Sequence, residues 1–589
     1  MGYDALIRQA RWFDGTGVPS AIRDIAIRDG KVVEIGRDLD PTAATEVIEA
    51  AGKWVIPGLI DIHTHYDVEA LDGPGLSESV RHGVTTVLIG SCSLSTIHGD
   101  AEQAGDLFGR VEAIPRDIVI DAVNRHKDWS SPAEYIRTLE RRALGPNIAA
   151  FIGHSDIRAA TMGLDRATRK DVRPSAAELD RMERMVVDAL DAGFVGMSSQ
   201  ELTFDKLDGE VCRSRTLPST YARFAEKRRF RNLLRARGRA FQAAPALESP
   251  WSLISLTFGS IGRKPLKTSL LAAADVKASP HAANALAPLA RAITKLGGDL
   301  RWQHLPVPFE VYADGIDLVI FEEFGSGGEA LDLIDQVERN KLFTDAAYRR
   351  RFRKDYDQKH GPRAWQRDLF DTEIVACPDK GTVGKSFGQV GVERGGIHPA
   401  DMFLDLVVEH GKALRWRTTI SNHRPHILKR FAQDSGVQMG FSDAGAHLRN
   451  MAFYNCGLRL LRHVLDAEQA RMPFISIERA VHRLTGELAE WYDIDAGTLR
   501  VGDRADLVVI DPAYLDASLD GYHESPMEHF GGLSRMVNRN NATVPAVYIA
   551  GKRVIADGEP TQVLGKERTG RFLRAGVRDS VRDSGLVGV

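Results

Sequence analysis

Eight apolar runs, each followed by a stretch with helical spacing, recur along the middle of this chain and leave few folds open. They are WVIPGLID (54–61), VTTVLIG (84–90), NIAAFIG (147–153), GFVGMSS (193–199), RAFQAAP (239–245), LKTSLLA (266–272), LRWQHLP (300–306) and VQMGFSD (437–443). Between the runs, SAAELDRMERMVVDALDAG (175–193) sets Leu179, Met182, Val186, Val187 and Leu190 near one stripe and stops at Gly193. That is the pattern of an amphipathic helix with a glycine end. Near-continuous apolar strands alternating with helices belong to parallel sheets covered by helices. Eight such units over 58–485 predict a (β/α)8 TIM-type barrel. An open doubly wound sheet is the alternative, but no GxGxxG follows the first strand. The gap between the seventh and eighth runs predicts an insertion at about 309–435. Its basic stretch 341–365 reads as a solvated helix face carrying salt bridges.

The two ends of the chain follow a different rhythm. ALIRQARWF, DIAIRDGKVVEIG and TEVIEAAGKWVIP alternate in short pieces broken at Gly15, Gly30, Gly36 and Gly52. GTLRVGDRADLVVIDP (497–512) and VPAVYIAGKRVIADGEP (544–560) repeat that character near the other end. Chain ends often lie close together, so 1–57 and 490–565 are expected to build one split β-sandwich. Two separate β appendages are the rival reading, and each would have a thin core. Residues 566–589 read as a peripheral tail.

Composition sets the broad class. The 589 residues are 43% hydrophobic and 27% charged with a formal net charge of -3, a soluble globular profile without the positive field that nucleic acid requires. The opening segment has Asp4, Arg8 and Arg11 but no signal-peptide core, and no run approaches a membrane span. The cytoplasm is the expected compartment, with no membrane partner. Cys92, Cys212, Cys377 and Cys456 are too scattered for a disulfide framework.

Barrel enzymes carry their chemistry where strands end, on the βα loops. The first run ends in HTH, and residues two apart on an extended segment share a face, so His63 and His65 can converge on one point. The second run leads to Cys92, the third to His154 and Arg158, the fourth to Glu201, and the eighth to Asp443 with His447 four residues on. His304 ends the seventh run, while Asn422 and His423 precede the eighth. Two imidazoles, a thiol and a carboxylate at one rim are donors that zinc accepts. His154, Arg158, Glu201, His304, His423 and His447 are candidates for contacts to the substrate or to the donors.

PGLIDIHTH, a short strand leading to Cys92, and SDAGAH together resemble the amidohydrolase superfamily. The closer likeness is to its bacterial N-acyl-D-amino-acid deacylase branch. GHSDIR with Met162 and Gly163, GTLRVGDRADLVVID and VYIAGKRVIADGE extend the match to about residue 562. The resemblance implies that His63 and His65 hold one zinc and that Cys92 is a metal ligand, bridging where two metals are present. It implies that Asp443 binds metal and moves a proton between water and the leaving nitrogen. The family's histidines at the ends of the fifth and sixth strands have no counterpart here. Gln242, Thr268 and Lys277 are the nearest residues, so one tightly held Zn2+ is expected and a second site is doubtful. The lysine that helps grip a substrate carboxylate in relatives also lacks a match. A metal-dependent hydrolase of a small N-acyl substrate is therefore expected, with an N-acyl-D-amino acid as the leading class. Hydrolysis of a cyclic amide, urea-like group or ester, and a non-catalytic binding protein on a degraded barrel, are the alternatives. A homo-oligomer is left open.

Overall fold

The computed structural model describes residues 2–246, 249–361 and 363–578. The expected strands form one parallel sheet in chain order. They are β1 Leu59–Asp61, β2 Val84–Ile89, β3 Asn147–Gly153, β4 Gly196–Gln200, β5 Ala240–Ala244, β6 Lys267–Leu270, β7 Asp299–Gln303 and β8 Val437–Gln438. Every residue of β2, β3, β4 and β5 is buried, as strands covered on both faces must be. Beyond β1 and β8 the chain continues as His63–Thr64 and Phe441–Ala444, and these extensions pair in parallel with Phe441 opposite His63. The His65 amide donates to the Ala444 carbonyl at 2.8 Å and the Ile62 amide to Gly440 at 2.8 Å. This seam closes the TIM-type barrel.

Helix Ala176–Ala192 illustrates how the outer ring is specified. Ser175 and Glu178 form a reciprocal capping box, Gly193 stops the helix at φ 106°, and Met182, Val186, Ala189 and Leu190 are buried in the main core.

Both chain ends enter one nine-stranded mixed sheet. Leu507–Ile510 pairs antiparallel with Trp54–Pro57, placing Val508 opposite Ile56, and thereby joins the N-terminal strands Tyr3–Trp12, Ala21–Arg28, Lys31–Gly36 and Ala44–Glu49 to Ala546–Ile549 and Lys552–Ala556. A hairpin, His523–Met527 with Leu533–Val537, lies outside that sheet. It reaches the barrel through Arg535, 2.9 Å from Glu69, and through the Met536 amide bonded to Leu448. Past the sheet, Phe572, Leu573 and Ala575 are buried and Phe572 bridges Ile148 in β3. This part of the expected tail is therefore packed core, because its apolar side chains seal strand ends. Residues 579–589 of that tail lie outside the described residues.

Between β7 and β8, Phe309–Asp314, Arg415–Ser421 and Glu373–Ala376 form an antiparallel sheet over a separate core of Phe321, Phe352, Trp365, Phe403 and Trp416. The basic helix Ala346–Asp357 spends its charge on neighbours: Arg349 pairs with Asp405, Arg351 with Glu329 and Arg353 with Asp401. No helix among the described residues is long and apolar enough to cross a membrane.

Candidate metal centre

The seam that closes the barrel also delivers the donors. His63 and His65 leave β1 on one face, and the ligand atoms of His63, His65 and Cys92 all lie within 4.8 Å of one another. His63 Nε2 is 3.4 Å from Cys92 Sγ and 3.4 Å from Asp443 Oδ1, and His65 Nε2 is 3.1 Å from the same carboxylate oxygen. Cys92, Asp443 and His447 all adopt positive φ, at 52°, 62° and 49°. Three residues with side chains in a conformation that suits glycine, gathered at one rim, signify a backbone held by its surroundings. Gly445, at φ 91°, turns the chain directly behind Asp443.

The other faces of the donors are fixed too. His63 Nδ1–H donates to Gln303 Oε1 at 2.7 Å, which turns the Nε2 lone pair toward the cluster. His65 Nδ1 lies 3.2 Å from Glu112 Oε1, and His447 Nε2 sits 3.9 Å from Glu112 and 4.0 Å from Asp443. The Cys92 amide donates to Gln242 Oε1 at 3.1 Å. Gln242 thus occupies the fifth-strand position where an imidazole was sought, and braces the Cys92 loop. In β6 the Thr268 hydroxyl is bonded to the Leu266 carbonyl, while Ser269 joins Gln303, Gln438 and Tyr492 in a buried hydrogen-bonded network. Lys277 is paired with Asp371 of the insertion at 2.5 Å.

Electrostatics agree with the geometry. Burial pushes the His63 imidazolium down to about 4, so the ring is neutral and its lone pair available. Burial pushes the Cys92 thiol up to about 12, a penalty that a bound cation relieves by stabilising the thiolate. Burial opposes ionisation of Asp443, but the adjacent imidazoles outweigh it and hold the carboxyl well below its ordinary range. Burial opposes protonation of His65, but Glu112 and Asp443 outweigh it and raise the ring well above its ordinary value when no cation is beside them. Imidazole, thiol and carboxylate converging in one buried cluster are the donor types a divalent transition metal accepts.

The remaining candidates sort by contact. His447 faces the cluster. His154 and Arg158 instead share Glu226: His154 Nε2 lies 2.9 Å from it and Arg158 Nη1 2.7 and 2.6 Å from its two oxygens. Glu201 is paired with Lys227 at 2.7 Å. His304 Nδ1–H donates to the Ala273 carbonyl at 2.6 Å and its ring packs edge-on against Phe431, outside the barrel wall. His423 is 3.6 Å from Asp275, and the Asn422 amide group bonds the Leu305 carbonyl, so both organise the loop over β7. Glu112 and Gln303, which hold the two imidazoles, end no apolar run. For Gln303 the signal is strand alternation, which sets Trp302 outward, bonded to Leu286 on a covering helix, and therefore Gln303 inward and His304 outward.

Comparisons with known proteins converge with this picture. The amidohydrolase family model matches residues 46–240. An uncharacterised protein of Mycobacterium tuberculosis is 53% identical over 98% of this chain and 96% of its own length. The N-acyl-D-glutamate deacylase of Alcaligenes xylosoxydans xylosoxydans is 33% identical over 33% of this chain and 36% of its own. In fold, the chain is similar to the crystal structure of the Bordetella bronchiseptica N-acyl-D-glutamate deacylase complexed with zinc and a phosphonate inhibitor. That likeness has a TM-score of 0.61 at 20% identity over 98% of this chain and 100% of the other. The family model's match, the closed parallel barrel, the split terminal sheet and this donor cluster together make the chain similar to the amidohydrolases, and its fold is similar to that of the N-acyl-D-glutamate deacylase.

Proposed function

We propose that this protein is a metal-dependent hydrolase that cleaves a C–N amide bond of an N-acyl-D-amino acid or a related N-acyl compound. The observation that carries the reading is the convergence of His63, His65, Cys92 and Asp443 at the catalytic rim. These four residues would hold one divalent ion, zinc by the character of the donors. Such an ion supplies Lewis acidity, polarising the substrate carbonyl and acidifying water beside it.

The protein's own groups do the rest. Gln303 and Glu112 keep the two imidazoles in register, so the donors need no rearrangement as substrate enters. Asp443 is an ionised acceptor at neutral pH, placed to take a proton from water and return it to the leaving nitrogen. His447 stands within 4.0 Å of that carboxylate and helps fix it. Four cysteines, none paired with another, suit a reducing compartment, and we place the enzyme in the cytoplasm.

The test combines metal analysis with a substrate panel. Protein purified without added zinc should contain about one equivalent of divalent metal, and chelation followed by zinc should restore turnover of at least one N-acyl-D-amino acid. Metal content below ~0.3 equivalents with no gain on reconstitution would defeat the enzyme reading in favour of a binding protein. Two tightly held ions would defeat the single-metal assignment alone.

A further inference from the structure

Ser269 stands at the middle of a hydrogen-bonded network that reaches the metal centre through one side chain. Its Oγ is 3.0 Å from Gln303 Nε2, 3.0 Å from Gln438 Oε1 and 3.2 Å from the Tyr492 hydroxyl, which is also 3.5 Å from Gln438 Oε1. Strands β6, β7 and β8 supply Ser269, Gln303 and Gln438. Tyr492 ends helix Gly486–Tyr492, the last helix before the chain enters Leu507–Ile510 of the terminal sheet. All four residues are no more than 2% exposed, and Tyr492 packs edge-on against Phe151 in an apolar cluster with Ile60, Leu88 and Val195. Hydrogen bonds so enclosed cannot be exchanged for bonds to water, so donors and acceptors must match.

The match decides which way Gln303 faces. A serine hydroxyl has one hydrogen to give and two lone pairs to receive with. Gln438 turns its carbonyl oxygen toward Ser269, so the serine hydrogen is spent there. The two lone pairs then receive the Tyr492 hydroxyl and the Gln303 amide nitrogen. With no hydrogen left to offer, Ser269 excludes the Gln303 oxygen, which faces His63 Nδ1 at 2.7 Å instead. That oxygen can only accept, so the ring hydrogen sits on Nδ1 and Nε2 is left free. Reversing the Gln303 amide would set N–H against Nδ1 and move the ring hydrogen to Nε2, where it would block a metal.

Resting on the metal-dependent hydrolase reading, we propose that Ser269 and Tyr492 are positioning residues for His63: acting through Gln303, they hold it in the tautomer that can coordinate. His65 is braced separately, by Glu112.

Two nearly isosteric variants separate the Ser269 hydroxyl from its packing. Ser269→Thr keeps the oxygen, Ser269→Val puts a methyl group in its place, and both add one branch to a buried strand. Zinc affinity is measured by competition with a chromophoric chelator, and urea unfolding of the metal-free proteins compares their folds. The valine form should bind zinc ~10-fold or more weakly than the threonine form, as expected when a group that orients a ligand is lost. Tyr492→Phe removes only a hydroxyl and should weaken zinc binding several-fold. Because the valine and phenylalanine changes act in one network, their combined loss should fall short of the product of the two. A merely structural role would lower unfolding stability and leave zinc affinity unmoved. Equal affinity in the threonine and valine forms, or losses that multiply in full, would overturn the inference. Unchanged affinity in Tyr492→Phe overturns it as well, whatever the fold of the valine form. Zinc binding ranked as expected with no turnover of any N-acyl substrate overturns the hydrolase reading and leaves the positioning role standing. Wild-type protein that binds no zinc overturns both.

Discussion

Two buried histidine–carboxylate clusters stand beyond the ends of β3 and β1, on either side of β2, and they do opposite things. After β3, His154 and Arg158 both clasp Glu226, so a guanidinium, an imidazole and a carboxylate close on one another. After β1, His63 and His65 meet Asp443, Cys92 and Glu112, and no arginine or lysine pairs with them among the described residues. The difference lies in where the positive charge comes from. The first cluster carries its own cation and is complete as a structural joint. The second is completed only by a cation from outside, and that is what makes it a site.

The largest effect expected from this contrast is at Asp443. Asp443→Asn keeps the size of the side chain and removes its basic oxygen, so turnover of the best substrate should fall by ~10²- to 10⁴-fold. Metal content is measured in the same sample. Near-normal turnover would refute proton transfer, and parallel loss of metal would leave only the ligand role.

At the closed cluster the damage should appear as stability. Arg158→Met strands the Glu226 carboxylate in the core and should cost about 3–5 kcal/mol in urea unfolding, with metal stoichiometry unchanged. A loss of metal in that variant would erase the distinction between the clusters. The same joint predicts an acid window. Burial opposes ionisation of Glu226, but His154 and Arg158 outweigh it and hold its carboxyl at about 2, against an ordinary 4.5. Its stabilising contribution is therefore fully present above pH 4.5 and fades as pH falls toward 2. The stability gap between wild type and Glu226→Gln should close across that interval, and a gap constant through it would assign the effect to packing.

A smaller effect belongs to Glu112. Glu112→Gln retains a side chain beside His65 but weakens its hold on the ring, and metal affinity should drop ~10- to 100-fold. Competition with a chelator reads this without reference to activity. Unchanged affinity would show that His65 is held by the backbone seam alone.

What the chain declares openly is what repeats or ends a strand. The eight runs declared the barrel because strands buried on both faces need uninterrupted apolar sequence, and HTH declared convergent donors because alternation is enforced by the pleat. Asp443 was legible for the same reason. His154 and His304 misled because a residue name at a strand end does not say which way it points. His304 lies one step from the inward Gln303, and His154 is claimed by Glu226 from helix Phe224–Arg237, 72 residues on. Glu112 sits in an irregular loop, where no period constrains direction and only the tertiary fold brings a carboxylate inward. Gln242 was visible in the sequence, but its task of bracing Cys92 is a contact across two strands, invisible in either alone.

The pairing of His63–Thr64 with Phe441–Ala444 has a consequence for the order in which the molecule forms. Ser442 bonds Asp61 across 381 positions of chain, among the longest sequence separations that the barrel wall spans. Strands β1 to β7 can add one after another through local neighbours, but this last contact must wait while the whole insertion between β7 and β8 settles. Loop-closure entropy and high contact order make such a step slow. Because the proposed donors stand on both edges of that junction, a metal held by them would tie the first strand to the last.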